Sequence, residues 1–333
     1  MNRAFISAIE YYLPEKVLTN EDLSRDFPEW SPDKILSKTG IARRHIAAPE
    51  ETSVDMAVKA AEKMFARGKV KREQVDFVIL CTQSADYYLP TSACILQDSL
   101  GIPTRAGSFD MNLGCSGFIY GLALAKGLIE SGSAREILLI TADTYSKLLR
   151  PEDRSVRSIF SDAAAATLIS AEPEAGEGNQ SIGPFSFGTD GSGAESLIAR
   201  TGGFRNPPSG QERPFLEMDG PGVFAFGLRR VPEAIMDLLQ KCELSLSCVD
   251  LFIFHQASMF MLETLRERLQ IAPERFFVNI ALHGNTVSST IPIALCDAHA
   301  QGLARPARTL FLVGFGVGLS WAAARVTLPA PLL

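Results

Sequence analysis

A stretch of ten residues occurs twice in this chain, and a duplicated chain is constrained to fold as two like halves. Val75-Asp76-Phe77-Val78-Ile79-Leu80-Cys81-Thr82-Gln83-Ser84 aligns with Val249-Asp250-Leu251-Phe252-Ile253-Phe254-His255-Gln256-Ala257-Ser258. In each copy Val-Asp leads into a continuous apolar run, the pattern of a strand buried on both faces. The offset is 249 − 75 = 174 residues, about half of the 333-residue chain. A second echo keeps the same order, Gly132 to Ile140 against Ala304 to Val313. Two ordered matches imply a duplicated α/β unit with halves 1–172 and 173–333, joined through the polar stretch 170–181.

Strands alternate with helices inside each half. Residues 53–67 place Val54, Ala57, Val58, Ala61, Met64 and Phe65 at the spacing of an amphipathic helix. Residues 118–131 are apolar nearly all round, which predicts a central, buried helix. Further helices are expected over 224–239 and 259–269, and a last strand over 309–313. That strand enters Gly314-Phe315-Gly316-Val317-Gly318, where alternate glycines permit a close backbone approach. The segment 200–222, rich in proline and glycine, reads as a long surface loop.

With 46% hydrophobic and 21% charged residues, the chain can bury two packed halves. Its net charge of −6 offers no general polyanion-binding surface, which excludes a nucleic-acid-binding role. The six cysteines form no CxxC pair and no metal-ligand spacing with the four histidines, so no metal site is expected. No apolar stretch approaches the ~18 residues of a membrane span, and the N-terminus lacks a signal-peptide core. A reduced, cytoplasmic enzyme is the expectation.

Cys115 stands in Asp110-Met111-Asn112-Leu113-Gly114-Cys115-Ser116-Gly117-Phe118, where a strand meets the long apolar helix. A thiol there feels the positive helix end, which favours thiolate and predicts the fastest-reacting of the six cysteines. A nucleophilic cysteine also needs a base or donor and an oxyanion hole. His255 and Asn285, in Phe254-His255-Gln256-Ala257-Ser258 and His283-Gly284-Asn285-Thr286, are each expected where a core strand ends. Cys, His and Asn also serve papain-like hydrolases, and the duplication and the glycine-rich closing strand argue against that class.

The chain resembles the β-ketoacyl-acyl-carrier-protein synthase III family of condensing enzymes. The likeness runs through Lys38-Thr39-Gly40-Ile41, Arg44-His45-Ile46, Leu89-Pro90-Thr91-Ser92-Ala93-Cys94, the Cys115 segment, Asp153-Arg154, Phe160-Ser161-Asp162, His255-Gln256-Ala257, His283-Gly284-Asn285-Thr286 and the closing glycines. It implies a thiolase-like fold, two duplicated βα halves in an α-β-α-β-α layering. It also implies a decarboxylative Claisen condensation of an acyl-CoA or acyl-carrier-protein primer with malonyl-acyl-carrier protein. Cys115 would carry the acyl group, while His255 and Asn285 bind the malonyl thioester carbonyl. The N–H groups of Cys115 and Val317 would form the oxyanion hole. Lys38, Leu89, Arg154, Phe160, Phe224, Ser258 and Gly316 are implied as substrate-binding. The family also implies a homodimer, with Leu89 closing the partner's acyl tunnel, and no cofactor beyond the substrates.

Departures from the family pattern concern the primer and the docking partner. Lys34 stands where the family usually has a Trp over the CoA adenine, and Ala225 and Phe260 replace basic residues at the tunnel mouth. Phe160-Ser161-Asp162-Ala163-Ala164-Ala165 lacks the family's glycines, so no positive φ is expected there. The alternative is a specialised acyltransferase or condensing enzyme using a long, branched or dicarboxylic primer or a non-malonyl acceptor. Ser84, Lys147 and Arg150 are the candidates for holding a primer carboxylate.

Overall fold

The two copies of the repeat become equivalent interior strands of two five-stranded sheets among the described residues, each next to an edge strand. The computed structural model describes residues 2–68, 70–173, 181–210, 213–304 and 308–328. The first sheet has the spatial order Asn2–Tyr12, Ala163–Pro173, Glu136–Asp143, Phe77–Cys81, Gly107–Met111. The second has the order Ser181–Thr189, Ser320–Thr327, Leu310–Gly316, Leu251–Phe254, Phe276–Phe277. In both, the first two pairings are antiparallel and the last two parallel.

The repeated Val-Asp does the same job twice. The Asp76 carboxylate accepts the Arg135 backbone N–H at 2.8 Å, and the Asp250 carboxylate accepts that of Thr309 at 2.8 Å. Each aspartate thus ties the start of its repeat strand to the neighbouring parallel strand, which supports the parallel register.

The helices Gly117–Glu130 and Thr290–Ala300 lie between the sheets and share one apolar core with both. Ser53–Ala66 and Ser92–Ser99 cover the outer face of the first sheet, and Gly220–Cys242 and Met259–Arg268 that of the second. The result is the α-β-α-β-α stack. Thr52 opens Ser53–Ala66 with a capping box: its hydroxyl accepts the Asp55 N–H, and the Asp55 carboxylate accepts the Thr52 N–H.

Three segments differ from the sequence reading. The helix expected from 224 begins at Gly220, with Pro221 in its first turn where a missing N–H costs nothing. The segment 200–222 is not all loop, because Leu216–Met218 pairs antiparallel with Leu197–Ala199. In the stretch 170–181, residues 170–173 finish one sheet strand and Ser181 opens another, while 174–180 lie outside the described residues, as do 305–307 of the second echo. No described helix is long and apolar enough to cross a membrane. No residue from Phe160 to Ala165 has positive φ.

Candidate active site

Cys115 occupies the turn between Gly107–Met111 and Gly117–Glu130, and its neighbours leave it almost no solvent (5% exposed). The closing strand makes this possible. A Cβ on Gly316 would stand 3.0 Å from both Cβ and Sγ of Cys115, and one on Gly314 would stand 2.7 Å from its carbonyl oxygen. Only glycine lets the strand lie this close to the nucleophile turn.

Burial acts on the thiol against the helix end. Desolvation pushes the Cys115 pKa up to about 12, the buried Asp143 carboxyl adds to the rise, and only its own backbone N–H opposes it. Burial thus opposes the thiolate that the helix end favours. Exposure does not single out Cys115 either. Cys94 and Cys248 are the exposed thiols, and hydrogen bonds from Ser245 lower the Cys248 pKa.

His255 follows the last residue of Leu251–Phe254, at the repeat position matched by Cys81 (255 − 174 = 81). Its backbone N–H donates to Val313 O at 2.7 Å. Burial lowers the imidazole pKa to about 3, so the ring is neutral near pH 7. Its Nδ1 lies 2.7 Å from Thr290 Oγ1, and that hydroxyl also donates to Val287 O at 3.1 Å. With its one proton committed to Val287, Thr290 accepts Nδ1–H and leaves Nε2 as an acceptor.

Asn285 is clamped by its own backbone: its N–H donates to Ile159 O and its carbonyl accepts Ser161 N–H. The Val287 N–H donates to Asn285 Oδ1 at 3.0 Å, which turns Nδ2 toward His255 Nε2 at 3.5 Å and Ala257 O at 3.4 Å. Val287 holds this turn at φ 55°, a conformation that costs a β-branched residue about 1–3 kcal/mol. Beneath the clamp, fully buried Arg44 donates to Ser158 O and to Asn20 Oδ1.

Cys115, His255 and Asn285 meet at one cavity of about 470 Å³. Phe160, Phe224, Ser258 and Gly316 also line it. The Ser258 hydroxyl faces the chain as well, accepting Met261 N–H as the cap of Met259–Arg268. Phe224 stacks on exposed Phe260 at 5.1 Å on the cavity wall. Apart from Cys115 and His255, no residue lining the cavity is titratable.

The remaining expected residues lie elsewhere. Val317 follows Gly316 and packs toward Gly114. Lys38 is on the surface, as is Leu89, which is 86% exposed and lines a separate depression. Arg154 is exposed and pairs with Glu29, its guanidinium 4.9 Å from the Trp30 ring centre. Trp30 thus supplies an aromatic one helical turn before Lys34, whose ammonium also faces that ring. Its signal in the sequence was an aromatic displaced by four residues from the family position. Lys147 donates to Pro49 O and Glu51 O, Arg150 lies over Phe215, and the Ser84 hydroxyl bonds Ser53. None of these three lines the Cys115 cavity.

The family model described as 3-Oxoacyl-[acyl-carrier-protein (ACP)] synthase III matches residues 109–191, and its C-terminal model matches 239–328. The chain is 36% identical over 315 residues to the β-ketoacyl-[acyl-carrier-protein] synthase III of Caldanaerobacter subterraneus subsp. tengcongensis, covering 93% of each chain. A solved 3-oxoacyl-(acyl-carrier-protein) synthase III is 51% identical with a TM-score of 0.95, covering 98% of this chain and 99% of that one. The 3-oxoacyl-(acyl-carrier-protein) synthase of Burkholderia xenovorans LB400 is 33% identical with a TM-score of 0.91, at 98% and 94% coverage. Likeness of this extent, over a site built from Cys115, His255 and Asn285, places the chain in the β-ketoacyl-acyl-carrier-protein synthase III family.

Proposed function

We propose that the chain condenses an acyl thioester primer with malonyl-acyl-carrier protein through an acyl group on Cys115. The observation that carries this reading is the convergence of Cys115, His255 and Asn285 on one largely apolar cavity. In the first half-reaction the Cys115 thiol passes its proton to His255 Nε2 as Sγ bonds the primer carbonyl carbon. The C–S bond to CoA or the carrier then breaks, and the leaving thiolate takes that proton. The N–H groups of Cys115 and Val317 are assigned to the oxyanion of the tetrahedral intermediate. The imidazole is neutral near pH 7, so Nε2 is free to accept the proton while the oxyanion donors stabilise the charge that forms.

In the second half-reaction the malonyl thioester carbonyl accepts hydrogen bonds from Asn285 Nδ2 and His255 Nε2–H. CO₂ leaves, and the enolate carbon bonds the acyl carbon. Sγ departs as thiolate and takes a proton from solvent, the one proton the condensation consumes. Between the half-reactions the neutral ring exchanges tautomers, its proton moving from Nδ1 to Nε2, and the Thr290 hydroxyl turns from Val287 O to donate to Nδ1. The reaction draws on no metal or cofactor.

The same reading divides the chain at 172/173 and makes it a cytoplasmic homodimer. Support for the dimer is exposed Leu89 beside exposed Tyr87 and Tyr88, an apolar loop suited to closing a partner's site. Acyl-CoA and acyl carrier protein are the expected partners, with Lys38, Arg154 and Trp30 as surface contacts for the carrier of the thioester. The test is product analysis with malonyl-carrier protein and a panel of acyl-CoAs. A β-ketoacyl thioester is the expected product, and free acid alone would mark a hydrolase.

A further inference from the structure

Asp143 is fully buried at the end of the strand Glu136–Asp143, and the mechanism above gives its carboxyl group no task. One oxygen faces its own half of the chain: Oδ1 accepts the Gln83 N–H at 2.7 Å. The other reaches the second half, where Oδ2 accepts the Ser288 hydroxyl at 2.6 Å. The Ser288 N–H bonds the same carboxyl group. These donors are all neutral, and desolvation pushes the Asp143 pKa up to about 7 against their pull. Burying a carboxyl group on hydrogen bonds alone is costly, and here both of its oxygens serve to bridge the halves.

Ser288 stands in the turn 287–290, which orients two catalytic side chains. At one end the Val287 N–H donates to Asn285 Oδ1 at 3.0 Å, and at the other Thr290 Oγ1 lies 2.7 Å from His255 Nδ1. The two residues between are both held by the first half. Asp143 takes Ser288, and the Ser289 hydroxyl donates to Thr141 O at 3.1 Å. Thr141 and Asp143 are two residues apart on one strand, so a single strand end grips the turn twice. The grip acts on a strained backbone. Val287 sits at φ 55°, a conformation that persists in a β-branched residue only where its surroundings hold it. Relaxation there would carry the Val287 N–H away from Asn285 Oδ1 and release the carboxamide to turn.

We propose that Asp143 is a positioning residue for decarboxylation, bridging the two halves through Ser288 so that Asn285 Nδ2 stays aimed at the malonyl carbonyl. The proposal rests on the condensing reading above. It makes the second half-reaction depend on a carboxyl group of the first half that touches neither substrate.

The test follows CO₂ release from malonyl-carrier protein and, separately, single-turnover acylation of Cys115 by acetyl-CoA. In Ser288→Ala, release falls at least about tenfold more than acylation, within the loss of about 10²-fold that a 1 Å misplacement can cause. Ser288→Thr keeps the hydroxyl and recovers most of the release. Asp143→Asn also slows release, and the double variant with Ser288→Ala loses no more than Asp143→Asn alone, because the two residues act through one contact. Should Asp143→Asn fail to fold, the Ser288 pair decides. Equal losses in both half-reactions of Ser288→Ala, no rescue by Ser288→Thr, or additive losses in the double variant overturn the inference. If the native protein releases no CO₂ and no acetyl group reaches Cys115, the condensing reading itself falls.

Discussion

Thr290 Oγ1 lies 2.7 Å from His255 Nδ1 inside a fully buried pair, so the orientation and tautomer of the imidazole depend on one hydroxyl. Thr290→Val keeps the shape and removes the partner. Acylation of Cys115 should slow by about 10- to 100-fold, the loss seen when a metal-bound imidazole loses its orienting partner. Thr290→Ser restores the hydroxyl and should recover most of the rate. Equal losses in both variants would point to packing instead.

The two half-reactions should separate. Cys115→Ala keeps both donors to the malonyl carbonyl, so it should form no acyl-enzyme yet still release CO₂ from malonyl-carrier protein. Asn285→Ala removes one donor and should cut decarboxylation by about 10²–10³, as for a comparable oxyanion donor, while Cys115 still becomes acylated. Acylation lost with CO₂ release spared would reverse the assignment and revive the hydrolase alternative.

The closing-strand glycines should differ in what they cost. At Gly314 an added Cβ meets backbone of Cys115 and Ser116 at 2.7 and 2.8 Å, which cannot yield without moving the nucleophile turn. Gly314→Ala should lower stability by about 1–3 kcal/mol, read by thermal or denaturant melting. At Gly316 the added atom meets the Cys115 side chain at 3.0 Å, so Gly316→Ala should slow acylation with a smaller change in melting.

Burial of neutral His255 makes stability depend on pH. The unfolded chain protonates this ring below about 6.5, whereas the folded site resists to about 3. The unfolded state therefore binds the extra proton in that window, and stability is lost as pH falls through it. His255→Asn removes this contribution, so its melting temperature should fall less between pH 7 and about 4 than that of the native protein. Parallel curves would show that His255 is accessible to protons in the folded state.

The strands and helices were legible where one residue pattern serves one environment. The buried runs at Phe77–Cys81 and Leu251–Phe254 are apolar on both faces because layers cover both, and the helix Gly117–Glu130 is apolar over most of its surface because it lies between the sheets. Their duplication was enough to predict two like α/β halves, the family resemblance supplied the layering, and the motif segments singled out Cys115, His255 and Asn285. Local periodicity could not decide what depends on distant chain. The burial of Cys115, which raises its pKa, comes from the layers packed around it and was not legible in its place at a helix start. Thr290 and Asp143 carried no spacing signal: each reads as an ordinary residue until the fold brings one against His255 and the other against Ser288. Sequence determined which chemistry is present, because side-chain identity and strand periodicity are local. Tertiary packing alone decided how that chemistry is oriented and how much space it has, because those depend on contacts between segments far apart in the chain.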